Sequence, residues 1–344
     1  MLNAGSSSVK LALFDGDAVV ARAQVAGVGA LLDGLAQAGV RLGDVTAAAH
    51  RVVHGGVALT AACRVTAAVE AAIAACVPLA PLHNPVNLAG IRALAALLPG
   101  LPQYASFDTA FHATNPEVAV TYALPLADRA RGLRRYGFHG LSYAALVRVL
   151  AARGALPGRV LACHLGNGAS LCAIRDGRSV ATTMGYSPLD GLTMGTRAGG
   201  IDGNAVLALA EVHGVAGAAR ILNRESGLLA LGGSNDMRAL REGSFAVEHF
   251  CYWAVRHAGS MVAAMGGLDA VVFTGGIGEN DPEVRGRIVA GLAYLGAGID
   301  GAANRQNAGV LHDAASSVAI WTVAADEERQ IALEARSVMA GEGQ

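Results

Sequence analysis

Two short loops carry the residue types that hold phosphate. The first is Asn3-Ala-Gly-Ser-Ser-Ser-Val-Lys10, small donors followed by an ammonium group. The second, Leu165-Gly166-Asn167-Gly168-Ala169-Ser170, follows an apolar run, residues 160–163, that stops at His164. Small residues let backbone N–H groups turn into a concavity for anions. Neither loop has the GxxxxGK[ST] spacing of a Walker A motif. Lys10 is the only lysine among 26 basic residues, and a compact ammonium suits phosphate as a flexible point charge. A shift of 161 positions lays Gly5 on Gly166, Ala12 on Ala173, Asp15 on Asp176 and Gly16 on Gly177. The echo predicts two similar halves, each offering a phosphate loop to a shared cleft.

Four further residues could act on an anion. Arg51 stands within an apolar run in HRVVHGG. A buried arginine needs an anionic partner, which a structural ion pair or a bound carboxylate or phosphate would supply. Asp108 ends an apolar run in FDTAFH, and His139 precedes a helical stretch in YGFHG. Each reads equally well as a cap or a core residue, as does Asp236. Arg197 lies in a loop, residues 184–203, with six glycines in twenty positions. Loops of that length in compact proteins are usually functional. Two arginines, an acid, a histidine and several phosphate loops together point to phosphoryl transfer.

The elements that must place these residues alternate between strand and helix, so the class is α/β. Strands are predicted at 11–14, 18–25, 45–53, 104–107, 160–163, 171–174, 179–183, 270–273 and 318–323. Helices are predicted at 28–38, 66–76, 85–98, 141–153, 204–213, 215–223, 245–265 and 326–339. Thr66 and Asn84 read as helix caps. Residues 274–280 read as a loop, with Asp281-Pro282 opening a helix whose N-terminus favours anions. Hydrophobic content of 53% and charged content of 15% over 344 residues describe a globular chain long enough for two domains. A net charge of −1 gives no electrostatic case for nucleic acid or membrane. No stretch reads as membrane-spanning, no signal peptide is apparent, and five scattered cysteines without a CxxC pair predict a reduced, cytoplasmic protein.

NAGSSSVK, HRVVHGG, PLHNP, FDTAFH, YGFHG, CHLGNGAS, MGTR, SNDMR, GGIGEN and DEERQIA occur in an order that resembles the acetate kinase family of the actin/Hsp70/sugar-kinase superfamily. The combination is specific, although no single motif decides it. The resemblance implies two duplicated ribonuclease-H-like domains with an interdomain nucleotide cleft, and a homodimer. It places an N-terminal domain at 1–109 plus 327–344, and a nucleotide-binding domain at 110–326. The implied reaction is reversible phosphoryl transfer from ATP to acetate, giving ADP and acetyl phosphate.

The resemblance also implies roles. Asn3 and Glu327 would hold Mg²⁺ or Mn²⁺, with Lys10, Ser6 and Ser8 near the phosphates. Arg51 and Arg197 would hold the carboxylate and the transferring phosphoryl group. Asp108 corresponds to the family's catalytic acid, and His139 would stabilise the transition state. Val53, Leu82, Phe138 and Pro188 would form the acyl pocket. His164, Leu165, Gly166, Asn167 and Gly168 would line the nucleotide, with Asp236, Met237, Arg238, Gly276, Ile277, Gly278, Glu279 and Asn280. Three departures stand out: a short segment between Gly16 and His50, Arg197-Ala-Gly-Gly-Ile-Asp-Gly203 where RSGDIDP is usual, and Asp326 in place of asparagine. A kinase for propionate or another short carboxylate is the nearest alternative. A sugar or polyol kinase would need a base for a neutral hydroxyl. A nucleotide-dependent binding protein of the actin or Hsp70 type is the alternative of another class.

Overall fold

The computed structural model describes residues 1–4, 8–37, 39–240 and 244–342. The loop residues Gly5 and Ser6 lie outside the described residues, and so does the pairing of Gly5 with Gly166. The chain divides into two compact units. The first comprises Met1–Ala113, Phe138–Ala145 and Asp326–Gln344; the second comprises Thr114–Gly137 and Leu146–Ala325.

The first unit is built on strands β1 (Leu2–Ala4), β2 (Val9–Asp15), β3 (Ala18–Val25), β4 (Ala48–Val52), β5 (Cys63–Arg64) and β6 (Gln103–Phe107). Their order is β3-β2-β1-β4-β6-β5. The β1–β2–β3 meander is antiparallel, whereas β1, β4 and β6 run parallel. Successive side chains of a strand face opposite sides, so a sheet covered on both faces reads as a continuous apolar run. On one face Val52 and Phe107 pack with Leu88 and Ile91 of the helix Asn84–Leu97. On the other, Ala49 and Tyr104 meet Ile331 and Ala335 of the helix Glu327–Glu342.

The second unit repeats the plan with β7 (Arg159–Leu165), β8 (Ala169–Arg175), β9 (Arg178–Thr182), β10 (Ala270–Thr274) and β11 (Ala319–Thr322). Its order, β11-β10-β7-β8-β9, matches β6-β4-β1-β2-β3 in both sequence and strand sense. Both Asp-Gly pairs turn their hairpins: Gly16 has φ 52°, and Asp176 and Gly177 have φ 51° and 76°. Positive φ at such positions matches the twist of the flanking strands.

Three local readings change. Asn84 does not cap its helix; His83 occupies that position, and the Asn84 amide bonds the backbone of His54 and Ile73 instead. Residues predicted as a loop after β10 form the short helix Gly275–Asn280. The next helix, Pro282–Gly291, has its N-terminus already occupied by the Asp281 carboxylate, which accepts from Val284 N. The break predicted between helices at 204–213 and 215–223 stands: within the span Gly203–Arg220, Gly214 takes a non-helical φ of 70°.

Three buried histidines of the first unit set its acid sensitivity. His50 meets Gln103 Oε1 at 2.6 Å, His54 Nδ1 accepts from Gly56 N at 2.9 Å, and His112 meets the Phe138 carbonyl at 2.9 Å. Burial pulls each imidazole down to about 4. An unfolded histidine, near 6.5, therefore binds more protons than a folded one between those values. Stability is full above about pH 6.5 and drains as pH falls toward 4, by roughly 1.4 kcal/mol per pH unit for each histidine. Urea unfolding at pH 7 and pH 5 should show a lower midpoint at pH 5; equal midpoints would contradict the burial of neutral imidazoles.

Candidate active site

In the first unit the parallel register sets Arg51 and Asp108 at the same end of adjacent strands. Arg51 Nε donates to Asp108 Oδ1 at 2.9 Å and Nη2 to Oδ2 at 2.7 Å, a two-point fork. The third nitrogen, Nη1, lies 3.4 Å from Asn3 Oδ1 and 3.8 Å from Glu327 Oε2. Burial works to lower the Arg51 pKa, but the carboxylates of Asp108 and Glu327 outweigh it and raise the group above its ordinary value. Burial lifts the Asp108 carboxyl, and the Arg51 fork opposes that lift. Asn3 and Lys10 are direct partners across the antiparallel pair β1–β2, so both side chains stand on one face.

Backbone contacts hold this cluster. Asp108 O accepts from Gly140 N at 2.8 Å. A Cβ on Gly140 would fall 2.4 Å from that oxygen, so only glycine lets the turn approach. The preceding His139 takes φ 60°, an uncommon conformation for a bulky residue and one that marks a constrained site. Phe138 is fully buried and Val53 nearly so, whereas Leu82 is 44% exposed.

Two residues missed in the sequence complete the frame. Asn87 Oδ1 accepts from Val53 N at 3.1 Å and its Nδ2 donates to Ala4 O at 2.8 Å. It thus spans the ends of β1 and β4, beside Asn3 and Arg51. Its signal was the spacing of Asn84 and Asn87, which puts both amides on one side of the helix. Glu334 is a half-buried acid within the field of Asp108, its pKa raised by desolvation, and it is bonded to Ser106 and Gln330.

The second unit gathers the other predicted residues around Gly195. Its N–H bonds Asn167 O at 2.9 Å, and a Cβ there would fall 1.8 Å from Asn167 Oδ1 and 3.1 Å from Asn235 O. The Gly166-Asn167-Gly168 turn, the arginine loop and the segment entering Asp236 therefore meet at one glycine. A Cβ on Gly275 would lie 2.8 Å from Leu165 O, which brings the Gly275–Asn280 helix against the end of β7 beyond His164. Leu228 N and Leu229 N bond Met194 O and Gly195 O, each at 2.9 Å, and fix the loop from behind. Arg197 Nη1 donates to Pro188 O at 2.7 Å. Among the described residues Arg197 has no carboxylate partner, and burial lowers its pKa.

Other predicted nucleotide residues divide. Met237 is buried in the core, while Asp236 and Arg238 form an exposed pair at 2.8 Å. Asn280 Nδ2 bonds Gly276 O at 3.0 Å, Gly278 O accepts from Arg285 Nη1 at 2.9 Å, and Ile277 lies between them in the short helix. Glu279 Oε1 accepts from Gly275 N and Ala325 N, each at 2.9 Å. Its carboxylate thus clips the end of β10 to the backbone two residues ahead of Glu327.

The sequence profile of the Acetokinase family matches residues 17–333. The chain belongs to the acetokinase family. It is 46% identical over 299 residues to the acetate kinase of Methylocella silvestris, covering 84% of this chain and 74% of that one. It is 47% identical over 303 residues to the acetate kinase of Rhodopseudomonas palustris, covering 84% and 76%. Among solved structures, the Porphyromonas gingivalis acetate kinase aligns with TM-score 0.90 at 34% identity over 98% of both chains. A propionate kinase from Francisella tularensis aligns with TM-score 0.90 at 35% identity over 97% of both.

The asparagine clamp gives a direct test. Asn87→Ala leaves the Val53 N–H and the Ala4 carbonyl buried without a partner, at about 1–3 kcal/mol for each group. Equilibrium unfolding should show that loss, and an unchanged midpoint would remove Asn87 from the frame.

Proposed function

We propose that this chain transfers the terminal phosphoryl group of ATP to acetate, reversibly, giving ADP and acetyl phosphate. The observation that carries this reading is the condition of the two arginines. Arg51 is held by a two-point fork and keeps one nitrogen toward Asn3 and Glu327; Arg197 is a largely buried cation with no carboxylate partner among the described residues. A buried cation without a counter-charge is costly until an anion arrives. Acetate is already ionised at neutral pH and needs no base to attack phosphorus. The barrier lies in bringing anions together, which fixed cations offset.

In this reading Asp108 is a positioning residue. With both oxygens engaged by Arg51, it fixes the guanidinium plane and carries no proton in the transfer. Arg51 and Arg197 take the acceptor carboxylate and the transferring phosphoryl group, Lys10 the phosphates, and His139 the charge that develops in the transition state. His164, Leu165, Gly166, Asn167 and Gly168 take the nucleotide, together with Gly276, Ile277, Gly278 and the exposed pair Asp236–Arg238. Val53, Leu82, Phe138 and Pro188 surround the acyl methyl group.

Asn3 Oδ1 and Glu327 Oε2 are oxygens that converge on one guanidinium nitrogen, and they fit Mg²⁺. Mg²⁺ in phosphate sites commonly takes one or two protein oxygens and completes its shell with water and phosphate. Among the described residues no group of three histidine, cysteine or acidic side chains could hold a metal unaided. When bound with nucleotide, the ion neutralises phosphate charge, and Mn²⁺ would use the same oxygens.

Propionate is the second reading, favoured by the Francisella tularensis neighbour. One methylene group changes binding by only about 1–3 kcal/mol. We also propose a homodimer. The helix Gly203–Arg220 leaves Leu207, Val212 and Val215 exposed, an apolar surface that a second copy would cover.

Hydroxamate formation with ATP, Mg²⁺ and acetate, propionate, butyrate or glycerol identifies and ranks the acceptor. ATP binding without acyl hydroxamate from any acid would instead favour a nucleotide-dependent binding protein. Arg197→Leu should lose turnover while retaining ATP binding; unchanged turnover would remove its role. Asp108→Asn should lower kcat by about 10²–10³ while the acid limb of the pH profile stays in place. Disappearance of that limb would show that Asp108 transfers a proton after all.

A further inference from the structure

The second unit holds a separate pocket of about 410 Å³, lined by Asn115, Glu117, Val120, Thr121, Arg129, Leu133 and Arg134. None of these residues belongs to the site above. Asn115 is 8% exposed, and both its amide nitrogen and its amide oxygen are buried without a hydrogen-bond partner among the described residues. Arg134 Nε is likewise buried and unbonded, with its guanidinium carbon 5.8 Å from the centre of the Tyr136 ring. The ion pairs of this segment are made by neighbours, Arg131 with Asp128 and Arg135 with Asp190. Arg129, at the exposed rim, uses Nε on Leu124 O at 3.0 Å and keeps its remaining donors.

Buried polar atoms are nearly always satisfied by protein, water or ligand. One water occupies about 30 Å³ of liquid, so this pocket has room for more than a single structural water. Its chemistry selects the guest. Two guanidinium groups call for a planar anion, and a carboxylate matches their fork. The Asn115 amide asks for an acceptor and a donor together. A simple fatty acid anion offers no donor, and neither does the dianion of a phosphate monoester. Glu117 at the rim adds a second acceptor.

We infer that this pocket binds a small carboxylate that carries a hydrogen-bond donor beside it, of the α-hydroxy or α-amino acid class. The carboxylate lies on Arg134 and Arg129, and the neighbouring hydroxyl or ammonium donates to Asn115 Oδ1. The site is separate from the acceptor site, so occupancy does not require ATP.

Glycolate, glycine and propionate have nearly the same size and differ in this one group. Isothermal titration of each into the full chain, saturated with ADP and acetate, isolates this pocket. Glycolate and glycine should bind saturably, with propionate at least about tenfold weaker. Asn115→Met should abolish that binding and leave acyl hydroxamate formation unchanged. Arg134→Gln, a milder change that also serves if Asn115→Met fails to fold, should weaken binding about tenfold. Equal binding to wild type and Asn115→Met, equal binding of propionate, or no binding of glycolate and glycine would overturn the inference. In the last case a higher Tm for Asn115→Met would identify the pocket as a merely hydrated defect.

Discussion

The Arg51–Asp108 fork is the contact on which the first unit's chemistry rests. It joins the ends of two adjacent parallel strands, and its strength depends on both groups being withdrawn from water. Removing either partner from such a pair leaves an uncompensated buried charge. The surroundings bear on the same point. Asn87 pins the strand ends, Gly140 grips the Asp108 carbonyl, and the helix Glu327–Glu342 brings Glu327 to the remaining guanidinium nitrogen. An arginine so held presents a fixed plane, which costs no reorganisation when charge develops on a bound anion.

The second unit uses the same strand plan with different endings. Where β4 and β6 finish in an arginine and an acid, β7 finishes in a glycine turn and β10 runs into the glycine-rich helix Gly275–Asn280. Open α/β sheets bind ligands beyond the carboxyl ends of their strands, and topology alone does not decide which chemistry stands there. In the first unit those positions carry charge on side chains. In the second the backbone N–H groups close on near neighbours, Gly166 N on Gly168 O and Gly275 N on the Glu279 carboxylate, and the crowding around Gly195 shows how closely three glycine-bearing segments can pack.

Much of this was legible in order. The Asp-Gly hairpins, the apolar β7, β8 and β10, and the need of Arg51 for an anion follow from local pattern and from the cost of burying charge. What stayed hidden depends on distance in sequence. Asn84 looks like a cap because it stands before Pro85, yet its amide is recruited by His54, thirty positions away. Residues 274–280 read as a loop from their glycines, but a Glu279 carboxylate accepting from Gly275 N closes a helical turn. Glu334 gave no sign at all, because nothing local tells a solvated helix face from one laid against Ser106.

The return of the helix Glu327–Glu342 to the first sheet also orders events on the ribosome. Ile331 and Ala335 cover a face that Ala49 and Tyr104 offer from the outset of synthesis, and Glu327 meets Arg51 only then. Domains generally fold as units while the chain emerges. Here the unit translated first must wait, one face open, until the whole second unit has been made. The domain that begins the chain therefore cannot close its sheet before the second unit has been synthesised.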